Sequence, residues 1–216
     1  MQKRSPNFEF ESSFGSGIVM GVDEVGYGAW SGPVVIGAAA LCLPLLPSEL
    51  IESINDSKSL SLKRRETIYE DLLRHAGSGV YFSIAQASVQ EIDHLNIRGA
   101  THLAIQRGVQ DLLKSYQNLP WQGILMDGTH APNLPLKTKC IVDGDKKSLS
   151  IAAASILAKV TRDRLMKNLA QNFPGFGWET NVGYGTKGHQ EGLKTLGATL
   201  HHRMSYKPLK NLIKSV

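Results

Sequence analysis

The chain has 216 residues, 42% hydrophobic and 20% charged, a globular composition that excludes a fibrous repeat or a largely disordered protein. Its net charge of +5 permits an anionic partner without naming one. The distribution says more: residues 1–136 carry 14 acidic and 10 basic groups, whereas residues 137–216 carry 5 and 14. An acidic front and a basic back suit a protein that gathers cations at one place and phosphates beside it, and equally a chance scatter of solvated charge.

The first 17 residues mix charges of both signs without an apolar core, so they read as a mobile arm rather than a signal peptide. Residues 18–22 and 33–43 are apolar runs joined by GYGAWSG, the pattern of two buried strands and a glycine-rich turn. Residues 55–60 are turn-like. Ser61 caps a helix over 61–73, and residues 80–87 alternate as a third strand. Helical spacing marks 88–95 and 97–116, the second through Leu103, Ile105, Val109, Leu112 and Leu113. Short strands follow at 123–126 and 136–142. Residues 148–172 form the longest helical pattern, capped by Ser148 or Ser150, with small residues at Ala152, Ala153, Ala154 and Ser155 for close packing. Beyond Pro174 come glycine turns and two short, basic helices. The expectation is an α/β layer fold, a mixed sheet flanked by helices with a helical C-terminal extension. Its core spans 18–172 and its substrate-handling segment 173–216, within one functional domain.

Cys42 and Cys140 lie in apolar runs and lack the density of a secreted disulfide scaffold, which points to a reducing, cytoplasmic setting. No apolar stretch is long enough to span a bilayer, so no membrane partner is expected.

Four carboxylates each end an apolar run near a glycine: Asp23 and Glu24 in GVDEVGYG, Asp127 in ILMDG, and Asp145 in VDGDKKS. Each alone reads equally well as a turn or a helix-approach residue. Together, all-oxygen donors without a Cys/His set favour a hard cation, Mg²⁺ or Mn²⁺, and hence phosphoryl chemistry. Nucleophilic serine chemistry finds no G-x-S-x-G elbow, and Ser31 in WSGP reads as a turn residue.

GVDEVGYGAWSGPVV, NDSKSLS, NIRGATHLAIQRG, MDG, DGDKKSLSIAAASILAKVTRD, VGYGTKGH and HHRMSY, in that order, resemble the ribonuclease HII family over residues 18–206. The resemblance implies a ribonuclease H-like core. It also implies cleavage of RNA in RNA–DNA hybrids and 5′ to single ribonucleotides in duplex DNA. Water attacks with two divalent ions per site, leaving 5′-phosphate and 3′-OH ends. Asp23, Glu24, Asp127 and Asp145 would be the catalytic, metal-binding carboxylates. Only 22 residues precede Asp23, which favours type 2 over the type 3 relatives with their added N-terminal domain.

The family usually has Gly-Arg-Gly where this chain has Gly26-Tyr27-Gly28. There the tripeptide senses the ribose 2′-OH, the group that separates RNA from DNA. Backbone groups of the three residues are expected to keep that role while a phosphate-holding guanidinium is lost. By the same resemblance Tyr184 packs on the sugar beside the scissile junction, and Lys58, Arg203 and Ser205 contact substrate. Met204 replaces a common second arginine. Lys159, Arg162 and Lys167 recur on the long helix and could follow a nucleic-acid backbone, although Lys159 and Asp163 also suit an i,i+4 pair. His189 reads as an outer-shell proton carrier or as a structural residue. The tail KPLKNLIKSV lacks the paired aromatics of a sliding-clamp box, and a monomer is the default.

Overall fold

A computed structural model describes residues 5–214, the side chains of 5–210 among them. Five strands form one mixed sheet: β1 (Ile18–Val25), β2 (Val34–Leu41), β3 (Val80–Ala87), β4 (Trp121–Asp127) and β5 (Thr138–Ile141), in the order β3-β2-β1-β4-β5. The first three run antiparallel in succession, while β4 lies parallel to β1 and β5 parallel to β4. Around the sheet lie α1 (Glu9–Ser12), α2 (Ser48–Ser53), α3 (Leu62–Arg74), α4 (Val89–Ser115), α5 (Leu149–Asn172), α6 (Trp178–Asn181), α7 (Lys187–Leu196) and α8 (Lys207–Lys214). None of these helices is long and apolar enough to cross a membrane.

Strand period 2 sends alternate residues to opposite faces. Met20, Val22, Ile36, Ala38, Ile124 and Met126 pack against Ala100, Ala104, Ile105, Val109 and Leu112 of α4. On the other face Ala39 and Leu41 meet Ala152, Ala153, Ala154, Ile156 and Leu157 of α5, with α2 and α3 outside them. The small residues let α5 lie directly on the sheet. A β-carbon at Gly21 of β1 would stand 2.2 Å from the backbone of Ser150 and Ile151, so any side chain there would push the helix away.

Several boundaries differ from expectation. β1 continues through Val25, because the pairing with β2 runs on through Asp23↔Gly37 and Glu24↔Ile36. The acidic pair therefore sits inside the strand, not after it. The two helices expected on either side of residue 96 are present as the two parts of α4, broken at Asn96 (φ 60°, ψ 169°), whose side chain accepts the amides of Arg98 and Gly99 and starts the second part. Three helices, not two, follow Pro174.

Residues 5–17, expected as a mobile arm, are docked. Glu11 is buried, and its Oε1 accepts from Ser148 Oγ at 2.6 Å and Ser150 N at 2.9 Å. A carboxylate at the N-terminus of a 24-residue helix meets its unpaired amides and its positive dipole end. Phe10 and Phe14 pack on Val19, Leu125 and Ile141. Residues 1–4 of the arm and 215–216 of the tail fall outside the described residues.

Candidate active site

The parallel pairing of β1 with β4 brings the first carboxylates together. Val22 pairs with Met126, so Asp23 and Asp127 stand side by side one step further on. Both lie on the α5 face; Glu24 takes the opposite side near the strand's end, where the sheet opens. Asp127 Oδ1 accepts the amide of Gly144 at 2.6 Å, which ties β4 to the short 3₁₀ turn Gly144–Lys146 that carries Asp145. Three separate segments thus converge.

Asp23 and Asp145 are buried. Burial first, then the charges of Glu24, Asp127 and Asp145, hold the Asp23 carboxyl well above its usual range, with the Ser155 hydroxyl working the other way. Burial and the Asp127 charge push Glu24 up to about 7. Asp145 is raised by burial, which the Lys58 ammonium at 3.5 Å opposes. Burial works against the Lys58 charge, but Asp145, Asp23 and Asp56 outweigh it and raise its pKa. Lys58 is itself 75% exposed at the side chain, so its screened charge offsets little of the repulsion.

Among the described residues no three His, Cys, Asp or Glu side chains stand close enough to ligate one ion as they are. The donor set nevertheless fits a hard divalent cation: every donor is a carboxylate oxygen, and the charges repel through partly buried space with only the exposed Lys58 ammonium, against Asp145, opposing them.

Glu24 and Asp127 open onto a cleft of about 220 Å³ that also takes in Tyr27, Arg98, Thr101, His102 and His130. Arg98, His102 and His130 were not singled out by the sequence. Arg98 and His102 are brought beside the acids by α4, whereas His130 follows Asp127 on the loop beyond β4. A larger cavity of about 650 Å³, near Glu52, Asp56 and Arg64, holds none of the four carboxylates.

The Gly26-Tyr27-Gly28 loop caps the end of β1. Gly26 has φ +91°, and a β-carbon there would stand 2.1 Å from Arg162 Nε. Both facts demand glycine. Among the described residues the amides of Gly26, Tyr27 and Gly28 have no acceptor. Tyr184 is 39% exposed and borders the loop: a β-carbon on Gly28 would be 3.9 Å from its Cε1. Gly26, Tyr27, Gly28 and Tyr184 therefore lie next to one another at the end of β1.

The other expected contacts are placed differently. Arg162 and Arg203 are completely buried, so neither reaches solvent to follow a phosphate backbone. Arg162 donates through Nε to Pro33 O (2.9 Å), Nη1 to Val182 O (2.9 Å) and Nη2 to Ser31 O (3.0 Å). Arg203 donates through Nε to Gly32 O (2.9 Å) and Nη1 to Tyr27 O (3.0 Å). Burial lowers the pKa of both, Arg162 to about 10. Lys159 is paired with Asp163 at 2.8 Å. The amide of Ser205 donates to Asp93 Oδ1 at 2.8 Å, with Met204 N on the other oxygen, so this motif anchors the C-terminal segment to α4.

His189 is buried as well. Its Nε2 accepts from Trp178 Nε1 at 3.2 Å and lies 3.1 Å from His202 Nε2, while Nδ1 faces Tyr184 O at 3.0 Å. Both ring nitrogens are used inside the core, which fixes the backbone carrying Tyr184 and leaves nothing to shuttle protons near the acids. Ser31, read as a turn residue, joins this network through Oγ at 3.2 Å from His189 Nε2.

The ribonuclease HII family model matches residues 20–209. Ribonuclease HII of Gluconobacter oxydans is 46% identical over 211 residues, 97% of each chain. That of a Jannaschia species is 47% identical over 209 residues, 96% of this chain and 98% of the relative. The crystal structure of ribonuclease H2 from Pyrococcus horikoshii matches with a TM-score of 0.72 at 26% identity, covering 92% of this chain and 98% of that one. A family model over most of the chain and full-length relatives at 46–47% identity show that the chain belongs to the ribonuclease HII family, hydrolases that cut phosphodiester bonds in the RNA of RNA–DNA hybrids.

Proposed function

We propose that the chain cleaves 5′ to ribonucleotides, including single ones embedded in duplex DNA, and leaves 5′-phosphate and 3′-OH ends. The observation that carries this is the convergence of Asp23, Glu24, Asp127 and Asp145, whose mutual repulsion and burial raise three of the four pKa values. These residues would hold Mg²⁺ or Mn²⁺. When bound, two such ions stabilise charge on the attacking and leaving oxygens of an in-line displacement.

The protein's own contribution is placement. Asp23 and Asp127 are fixed by strand pairing, and the turn that carries Asp145 by the bond from the Gly144 amide to Asp127 Oδ1, so the negative charge stays where it is when substrate arrives. The free amides of Gly26, Tyr27 and Gly28 are donors to a ribose 2′-oxygen, which DNA lacks. Tyr184, across from Gly28, offers a ring face to the adjoining sugar. Lys58 meets phosphate at the rim.

Incubation with Mg²⁺ or Mn²⁺ and a DNA duplex carrying one ribonucleotide, beside all-DNA, all-RNA and branched-DNA duplexes, tests the reading. Metal-dependent incision 5′ to the ribonucleotide is expected. Asp23→Asn and Asp127→Asn should abolish turnover while binding persists. Cleavage of branched DNA alone, or binding without incision, overturns it.

A further inference from the structure

We propose that Arg203 and Tyr206, with Arg162 beside them, are positioning residues for ribose recognition. They turn carbonyls of the 26–33 loop into the protein and so keep the amides of Gly26, Tyr27 and Gly28 at its tip free for substrate. The inference rests on the proposed role of those amides.

The amides of Ala29, Trp30, Ser31 and Gly32 are bonded to Gly26 O, Gly183 O and His201 O, and the polarity that matters is that of the tip. Tyr27 O accepts from Arg203 Nη1 and from the Tyr206 hydroxyl; Ser31 O and Pro33 O accept from Arg162, Gly32 O from Arg203 Nε, and Trp30 O from the Arg203 amide at 2.8 Å. Five carbonyls point inward, while the three amides at the tip have no acceptor among the described residues. Successive free amides of this kind make a donor-lined concavity.

The guanidinium groups are a costly way to satisfy carbonyls. Neither makes an ion pair among the described residues, both are fully buried, and Arg203 Nη2 has no partner at all. An unpaired buried charge costs several kcal/mol, more than a well-packed apolar core would. What the cost obtains is geometry: one planar fork holds carbonyls from separate stretches of chain at once. Arg162 also links Val182, two residues before Tyr184, to the same loop. The sugar-facing ring and the ribose-facing amides are thereby set by one pair of buried side chains.

Tyr206 offers the cleaner test. Its hydroxyl meets Tyr27 O at the loop's tip, its side chain is only half-buried, and its ring lies 5.5 Å from the Arg203 guanidinium, a contact that phenylalanine keeps. The dissociation constants of wild type and Tyr206→Phe are compared for two duplexes, one with a single ribonucleotide and one all-DNA. Ca²⁺ replaces Mg²⁺, and melting temperatures are measured alongside.

Loss of the bond to Tyr27 O, and with it the long 3.5 Å bond from Arg203 Nη1 to the same hydroxyl, should lower the preference for the ribonucleotide about three- to tenfold, with all-DNA binding and melting temperature nearly unchanged. Arg203→Lys keeps the charge but not the fork, and should lower the preference at least as far. If wild type prefers the ribonucleotide and Tyr206→Phe keeps the full preference, or weakens on both duplexes equally, the positioning role is wrong. If wild type itself binds both duplexes alike, the reading of the amides fails and this inference falls with it.

Discussion

Replacing Glu24 by glutamine should stabilise the metal-free protein while destroying its activity. Glu24 titrates at 4.5 in an unfolded chain and about 7 in the folded one, chiefly through burial and the Asp127 charge. Below about pH 4.5 the group is protonated in both states and contributes nothing. As the pH rises, the unfolded chain releases the proton first, so folding stability falls until the folded group also ionises near 7. The full penalty above that pH is about 3 kcal/mol. A chain of this size gains about 2–4 °C in melting temperature per kcal/mol, so Glu24→Gln should melt about 6–12 °C above wild type at about pH 8 in chelator. Near about pH 4.5 the difference should nearly vanish. Excess Mg²⁺ should raise the wild type more than the variant, because only the wild type keeps the full carboxylate set. Differential scanning calorimetry with and without chelator at both pH values measures all of this. A variant that melts below wild type at pH 8 in chelator, or by the same margin at both pH values, refutes the reasoning.

Gly26→Ala combines a φ of +91° with a clash at 2.1 Å against Arg162, and should cost about 3 kcal/mol or more in urea unfolding. A loss under about 1 kcal/mol would mean that the loop relocates freely. Glu11→Ala strips the acceptor from Ser148 Oγ and Ser150 N at the start of α5 and should lower stability by about 1–3 kcal/mol; an unchanged melting temperature would show that the docked arm contributes nothing. Burial, with the neighbouring His189 charge, lowers His202 from 6.5 to about 4, so the unfolded chain takes up a proton that the native state refuses. Measured against a His202→Gln variant, so that the opposite contribution of Glu24 is common to both, wild-type stability should fall by about 3 kcal/mol between pH 6.5 and 4, and a difference in urea midpoint that stays flat across that window contradicts the burial. Binding to a ribonucleotide duplex should weaken with salt at a logarithmic slope no steeper than about −5, since Lys58, Arg98, Lys187, Lys207 and Lys210 are the exposed cations best placed for phosphate. A slope near −10, read by anisotropy across a salt series, would bring the paired lysines into contact.

The layer fold was readable because its signals are local. Alternation marks β3, helical spacing marks α4 and α5, and the small-residue run 152–155 announces the close approach that Gly21 completes. Even the break at Asn96 shows in the pattern. The neighbouring of Asp23 and Asp127 is not local, since it depends on β4 crossing to the far side of β1 from β2. The motif resemblance supplied what periodicity lacks. The failures share a cause. A charged residue in a sequence reads as solvated, and nothing nearby shows that the loop carbonyls need donors, so Arg162 reads as a backbone contact and Arg203, by its motif, as a substrate contact. The arm failed for the opposite reason: Glu11 drew attention to polarity, while Phe10 and Phe14, which dock it, are too few to make a period.

The basic back of the chain thus has a different meaning from the one its count suggests. Two of its arginines are buried under the ribose-facing loop, Lys146, Lys159, Arg164 and Lys194 are committed to carboxylates, and Lys137 and Lys139 lie over Phe14 and Phe10 of the docked arm. Few cations remain to hold phosphate. An enzyme that must find one ribose among many deoxyriboses gains little from strong backbone attraction, because that attraction is blind to the sugar. Discrimination has to come from the 2′-oxygen, and a weakly charged surface lets a single loop decide it. On the proposed reading of the amides, burying Arg162 and Arg203 serves that end twice, since it takes two guanidinium groups away from phosphate and holds the carbonyls of the loop whose amides would meet the 2′-oxygen.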